Sequence, residues 1–299
     1  MPIVRAEKTL KLINDLLEND QGAAYRRLLE EEIVKIDDAY RGESSRHRSH
    51  FGMSNLGDSC PRKLWYSFRW YKAKTFDGRI LRLFNRGHLE EARFIALFRM
   101  CGFEGWTLDA DGGQIRISDV GGHLGSAVDG VFRGLPEMPD VPVLGEFKTH
   151  GEKSFLKLKK EGVEKSKYVH FVQMQVYMHK LSLTHAIYVA VNKNTDELYL
   201  EIVKYDRYVA LKYLERGAQL ITSDRPPERI SETPSWFECK FCDFSDVCHY
   251  GAEAEVNCRT CVYSLPVADK GWDCRLAGIH ISKSLAATGC QQWTRIPED

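Results

Sequence analysis

Glu146 and Lys148 stand two residues apart in Val143-Leu-Gly-Glu146-Phe-Lys148-Thr-His150, part of an apolar run that reads as a β-strand from Val141 to Phe147. Alternate strand residues share a face, so the carboxylate and the ammonium project together. That pairing suits metal-assisted phosphodiester hydrolysis. The carboxylate holds a divalent cation, and the lysine orients or polarises the attacking water and offsets phosphate charge. Alone, a Glu-x-Lys pair reads as an exposed ion pair of little consequence, so the neighbours decide. Asp129 lies in Gly125-Ser-Ala-Val-Asp129-Gly-Val-Phe132. Asp before Gly is ordinarily a turn residue, but the apolar flanks favour a strand. A turn rich in Pro and Gly, 134–142, then makes a hairpin that brings Asp129 to Glu146. Two carboxylates and a lysine on adjacent strands form a metal-site pattern. Downstream, Gln173 and Tyr177 are four apart and share a helix face. Core packing explains Tyr177 more easily than Gln173.

Of nine cysteines, seven lie from position 239 onward. Cys239-Lys-Phe-Cys242 precedes Cys248, and Cys258-Arg-Thr-Cys261 precedes Cys274 and Cys290. Paired thiolates two residues apart grip one zinc or iron–sulfur centre from a tight turn. Seven is not two sets of four, and Cys60 supplies the eighth. The simplest division is Cys60, Cys239, Cys242 and Cys248, then Cys258, Cys261, Cys274 and Cys290, with His249 and His280 as substitutes in either set. The first set would staple the N-terminal region to the end of the core. Both read as scaffolds rather than redox centres, since no electron-transfer partner domain is visible. Cys101 reads as an unliganded core residue.

The elements that must position these groups follow from periodicity. Two helices are expected over 4–41, broken at Asn19-Asp-Gln-Gly22, then a polar loop with Arg46-His-Arg48. Pro61 opens a helix whose Leu64, Trp65 and Phe68 face inward. A long helix spans 78–101, with Gly87 in its interior for a packing or access reason. Of its Glu90 and Glu91, one is solvated and one points into a site. Short strands fill 103–133. The lysine-rich 153–165 is a solvated face or a DNA-backbone contact. A helix at 168–181, a hairpin of 185–191 with 197–203, and a helix at 205–221 complete the αβ pattern, which Pro226-Pro227 ends. The rest reads as loop.

The chain has 299 residues, 43% of them hydrophobic and 28% charged, with 42 basic against 42 acidic side chains. These are values of an ordinary globular protein with no global positive field, so DNA binding would need a local channel. No apolar run is long enough for a membrane span, and Met1-Pro-Ile-Val-Arg-Ala-Glu-Lys lacks a signal-peptide core. The expectation is an intracellular, cytoplasmic protein without a membrane partner.

Taken together, the ordered motifs resemble the RecB-like branch of the PD-(D/E)xK nuclease superfamily, and within it the iron–sulfur exonucleases of the CRISPR-associated and AddB type. Ser54-Asn-Leu-Gly-Asp-Ser-Cys60-Pro-Arg62 is similar to the entry motif, Gly87-x-x-x-Glu91 to motif I, Asp129 and Glu146-x-Lys148 to motifs II and III, and Gln173-x-x-x-Tyr177 to the downstream helix motif. Cys239-x2-Cys242-x5-Cys248 completes a [4Fe–4S] set with Cys60. The resemblance covers 53–248. It departs at Glu91, where several iron–sulfur relatives carry a histidine and the phage lambda exonuclease type carries glutamate. It departs again in the second four-cysteine set.

The resemblance implies an α/β (mixed α+β) restriction-endonuclease-like core, a central mixed sheet flanked by helices. It implies segments 1–50 (helical), 51–250 (nuclease core) and 251–299 (metal-binding tail). The implied activity is a deoxyribonuclease dependent on Mg²⁺ or Mn²⁺, an exonuclease on single-stranded DNA or DNA ends. Glu91, Asp129, Glu146 and the Phe147 carbonyl would hold the metal. Lys148 would position water, and Gln173 and Tyr177 would steady Lys148 or the DNA backbone. The second set would hold zinc or a further cluster. No helicase motor is present, so the protein stands alone or is recruited by a replication or recombination partner; a compact, virus-encoded system would suit it. The alternatives are a structure-specific endonuclease and a non-catalytic DNA-binding or assembly protein.

Overall fold

The computed structural model describes residues 2–36, 47–73 and 75–298. Arg46 and the end of the expected second helix, 37–41, lie outside them. The chain divides into two compact units, each assembled from three segments: Met1–Ser44, Phe76–Ile117 and Ala127–Ala210, then Ser45–Thr75, Ser118–Ser126 and Leu211–Asp299. This partition is discontinuous, unlike the three consecutive segments expected from sequence. Among the described residues no helix is long and apolar enough to cross a membrane.

In the first unit, β1 (Val4–Arg5) leads into α1 (Glu7–Asn19) and α2 (Ala23–Ile33), separated at Gly22, whose φ is +76°. Then come α3 (Gly78–Met100), β2 (Glu104–Trp106), β3 (Gly130–Arg133), β4 (Val143–His150), α4 (Glu152–Ser166), α5 (Tyr168–Leu181), β5 (His185–Asn192) and β6 (Leu198–Lys204). The strands form one mixed sheet in the order β1-β6-β5-β4-β3-β2. Only β4 and β5 pair in parallel. A parallel neighbour needs a crossover, and α4 and α5 supply it. That connection lays α5 on β4 and α4 on β5.

Both sheet faces are covered, so β4 is buried almost throughout rather than on alternate residues. One face buries Val143 and Phe147 of β4, Ile187 and Val189 of β5 and Leu200 of β6 against Phe94 and Phe98 of α3. Phe98 stands edge-on to Phe132 (4.9 Å) and Phe147 (5.7 Å). The opposite face carries Leu144, Glu146 and His150, buried beneath Phe155, Leu158, Val172 and Met174 of the two helices. Within α4 the helix breaks at Gly162, which takes φ +74°, and the following Val163 N–H donates to Glu201 at 2.9 Å.

Three expectations change. The strand reading of 125–132 divides into Leu124–Ala127 and β3, with Val128 and Asp129 between them. The glutamate strand runs from Val143 to His150 rather than from Val141 to Phe147. Gly87 has no packing reason, since a Cβ there would meet nothing within 4 Å.

In the second unit, the helix Pro61–Phe68 is capped by Cys60 and buries Trp65, Tyr66 and Phe68. His47 is not a free loop residue: it stacks on Trp70 at 4.9 Å and lies 3.0 Å from Glu255. Segments far apart in sequence are tied by buried arginines. Arg259 donates to Phe68 O (3.1 Å) and Ser49 O (2.7 Å), with its guanidinium 3.8 Å from the Trp70 ring centre. Arg69 donates to Ser223 O (2.8 Å) and Ser264 O (3.2 Å). Burial lowers both, Arg69 to about 10 and Arg259 to about 9. The region after Pro227, expected as loop, contains short helices at Phe237–Lys240, Ser245–Tyr250 and Lys283–Thr288. It also holds an antiparallel sheet of Ser264–Pro266, Trp272–Cys274 and Ile279–His280. Sequence periodicity misses these because none spans two turns or four strand residues.

The glycines supply a paired test. A Cβ at Gly145 would lie 2.6 Å from the Phe132 ring, so Gly145→Ala is expected to cost about 1–3 kcal/mol through overpacking. Gly87→Ala fills open space in a helix interior and is expected to stabilise by up to about 1 kcal/mol. Urea denaturation of both variants checks the opposite signs.

Candidate active site

The site grows from the point where β3 stops pairing with β4. Their register ends at Gly130 opposite Gly145. Beyond it the edge of β4 facing β3 has no strand partner on that side, and Asp129 takes over: its Oδ2 accepts the Phe147 N–H at 2.7 Å. A residue in a strand turns its N–H and C=O to the same edge, so the Phe147 carbonyl faces the edge that Asp129 occupies. The expected meeting of Asp129 with Glu146 therefore occurs, but through a backbone hydrogen bond at the mouth of the hairpin rather than between two paired strands.

Glu146 is completely buried. Lys148 donates to its Oε1 and Gln173 to its Oε2, the latter at 3.0 Å. The Gln173 amide also donates to Tyr177 Oη at 3.2 Å. Sequence reasoning had Gln173 steadying Lys148 or DNA; here it steadies Glu146. That also explains why a glutamine is buried on α5. Burial pushes the Glu146 carboxyl up to about 7, with Asp129 adding to the rise and Lys148 and Gln173 opposing it. For Lys148, burial works against the charge, but Glu146 and Asp129 outweigh it and hold the ammonium above its ordinary range.

Glu91 lies half-buried on α3, with its Oε1 4.0 Å from His88 Nδ1. It is not among the groups that chiefly set the ionisation of Glu146 or Lys148. Its neighbour Glu90 is the more buried of the two and faces Arg93 at 3.5 Å. Asp129, Glu146 and the Phe147 carbonyl are a hard oxygen set of the kind a small divalent cation takes.

Three groups went unnoticed in the sequence. His150 follows Lys148 on the same strand face, and His170 precedes Gln173 by one turn on α5. Between them Tyr188 Oη lies 2.8 Å from His150 Nε2 and 2.9 Å from His170 Nδ1. Glu146-x-Lys148-x-His150 and His170-x-x-Gln173 were the available signals. Burial, and after it Lys167 and Lys148, lower the His150 imidazole to about 4. Burial and Lys148 depress His170 further still.

The cysteines gather in the second unit. Cys60 raises the thiols of Cys239 and Cys242, and Cys248 raises those of Cys60 and Cys239, in each case after burial itself. Cys258, Cys261, Cys274 and Cys290 line one cavity of about 30 Å³, and burial followed by the other three pushes Cys258 up to about 11. Among the described residues, no group of three or more His, Cys, Asp or Glu side chains is arranged to hold a metal ion. The Cys258 thiol donates to Leu285 O at 3.4 Å. His280 lies 2.9 Å from Asp273 Oδ1. Cys101 is partly buried, and burial pushes its thiol up to about 12.

Glu146 also supplies a pH test. Its folded pKa lies above the ordinary 4.5, so its contribution to stability is complete at low pH and is lost as pH rises through about 7. Lys148, raised rather than lowered, does not titrate in that window. Glu146→Gln is therefore expected to gain on wild type between about pH 5 and about pH 8. Denaturation of both proteins in chelator at each pH reads the difference.

No protein-family model and no curated protein matches this chain. Solved structures are similar at low identity. SSO0001 is 16% identical, with a TM-score of 0.41, over 76% of this chain and 97% of that one. An alkaline exonuclease from Laribacter hongkongensis (LHK-Exo) is 14% identical with a TM-score of 0.40, and LHK-Exo in complex with dAMP is 13% identical with a TM-score of 0.40. Each of these two covers 57% of this chain and 86% of its own.

Proposed function

We propose that the chain is a metal-dependent DNA exonuclease of the RecB-like, iron–sulfur PD-(D/E)xK type. The observation that carries this reading is the buried Glu146 carboxylate between Lys148 and Gln173, with Asp129 on the adjoining Phe147 N–H. Burying an acid is costly, and a carboxylate pair beside a lysine is what the reacting centre of a phosphodiester hydrolase needs.

Asp129, Glu146 and the Phe147 carbonyl, joined by Glu91, would hold Mg²⁺ or Mn²⁺. The ion, when bound, supplies Lewis-acid charge at the phosphate and lowers the pKa of water. Lys148, released from Glu146, holds the attacking water and offsets charge on the phosphate oxygens. Gln173 fixes the Glu146 carboxylate, and Tyr177 fixes Gln173. Cys60, Cys239, Cys242 and Cys248 are four soft thiol donors, a set that fits a [4Fe–4S] cluster. Cys258, Cys261, Cys274 and Cys290 fit zinc or a second cluster. Both centres would brace the second unit. DNA, single-stranded or at ends, is the proposed substrate, with a replication or recombination protein as recruiting partner.

End-labelled linear and closed circular single-stranded DNA, each with Mg²⁺ or Mn²⁺, test the activity. Wild type is expected to degrade linear DNA alone, and Lys148→Ala to lose about a hundred- to a thousandfold in rate. Cutting of circles assigns an endonuclease, and metal-dependent cleavage by neither protein leaves a binding or assembly role. Iron, sulfide and zinc analysis of anaerobically purified protein tests the thiol centres. About four irons per chain are expected from the first set, and Cys60→Ala is expected to lose them while the second set keeps its metal.

A further inference from the structure

The histidines beside Lys148 are joined in a hydrogen-bond chain that closes in either of two directions, and the one that starts at Lys167 leaves a donor free at its far end. Lys167, whose ammonium can only donate, donates to Ser154 Oγ. In that direction Ser154 turns its own hydrogen toward His150 Nδ1, 3.4 Å away. His150 Nδ1 is then an acceptor, and the proton of its neutral ring sits on Nε2. That N–H donates to Tyr188 Oη at 2.8 Å. The Tyr188 hydroxyl has one hydrogen, which remains for His170 Nδ1 at 2.9 Å. His170 Nδ1 is therefore an acceptor too, and its proton is on Nε2.

Unlike Nδ1, that nitrogen has no hydrogen-bond partner among the described residues, and the ring is half-buried rather than enclosed. The two imidazoles stack with centroids 5.9 Å apart and planes 22° from parallel. The charges that act most on the two rings are Lys148, Lys167 and Lys193, with no carboxylate among them. A neutral donor held in a cationic setting is complementary to an oxyanion. His170 also shares the α5 face with Gln173, one turn away, which holds Glu146.

We infer that His170 is a substrate-binding residue, and that its Nε2–H, set by the Lys167–Ser154–His150–Tyr188 chain, donates to a phosphodiester oxygen of the nucleic acid beside Lys148. This inference rests on the nuclease reading for its ligand but not for its tautomer. The hydrogen-bond chain exists in the free protein and needs no metal.

Two measurements test it. Imidazole nitrogen NMR of histidine-labelled protein, assigned with His150→Gln and His170→Gln, is expected to show both rings neutral and protonated on Nε2. A His170 ring protonated on Nδ1, or charged near neutral pH, overturns the inference. The second measurement compares His170→Ala, His170→Asn and His170→Gln. Glutamine places an N–H where Nε2 was; asparagine places one nearer Nδ1. His170→Ala and His170→Asn are expected to raise KM on the order of tenfold, the value of one hydrogen bond to a charged oxygen. Their kcat should stay near wild type, and His170→Gln should recover most of the KM. Equal behaviour of all three variants, or a loss confined to kcat, overturns the contact. If wild type cleaves nothing, the nuclease reading fails by itself. Fluorescence anisotropy of the same variants on labelled single-stranded and duplex oligonucleotides then decides the His170 inference through the same glutamine–asparagine contrast.

Discussion

The first unit depends on one costly arrangement, a carboxylate with no exposed surface held between an ammonium and an amide. Taking away the lysine would leave the buried acid uncompensated, at a cost of about 3–5 kcal/mol, so Glu146 and Lys148 constrain what surrounds them. Strand β4 must be covered on both faces. Helix α5 must lie close enough for Gln173 to reach the second carboxylate oxygen. The hairpin must end where Asp129 can take the Phe147 N–H. The sheet order and the helical crossover are the simplest topology that meets all three requirements.

The two faces of β4 divide the labour. Val143, Gly145 and Phe147 lock the strand into an aromatic cluster that tolerates little change, because the Phe132 ring already fills the space beside Gly145. Leu144, Glu146, Lys148 and His150 face the other way, toward α5. Rigidity on one side makes polarity on the other affordable: a fixed backbone holds the acid, the lysine and the histidine in register without each needing its own support. The polar layer continues sideways through Tyr188, so that hydrogen bonds rather than contacts between charges connect the lysine's neighbourhood to Ser154 and Lys167.

The second unit solves a different problem, that of joining segments widely separated in sequence where regular elements are short. It does so with buried cations that have no carboxylate ion-pair partner among the described residues. Arg69 and Arg259 donate to backbone carbonyls and lie against Trp65, Trp70 and Trp272. Desolvation is offset there by charge-assisted hydrogen bonds and cation–π attraction. The eight cysteines of the two sets belong to the same unit.

Spacing alone determined the helices at 7–33, 61–68, 78–100 and 168–181 and the strand that bears Glu146 and Lys148. Each of these is a local pattern in which period or pairing is written in a few consecutive residues. Tertiary structure decided the rest. It moved Asp129 from a strand to the mouth of a hairpin, assigned Gln173 to Glu146 rather than Lys148, and buried Glu90 more deeply than Glu91. It also joined His150, His170 and Tyr188, which are 38 and 18 positions apart along the chain. The physical reason is the crossover. A parallel neighbour for β4 can be reached only through α4 and α5, and this excursion stacks residues that no local period relates. Which carboxylate is desolvated, and which nitrogen of a histidine carries the proton, depend on those stacked neighbours and not on the residues adjoining them in sequence.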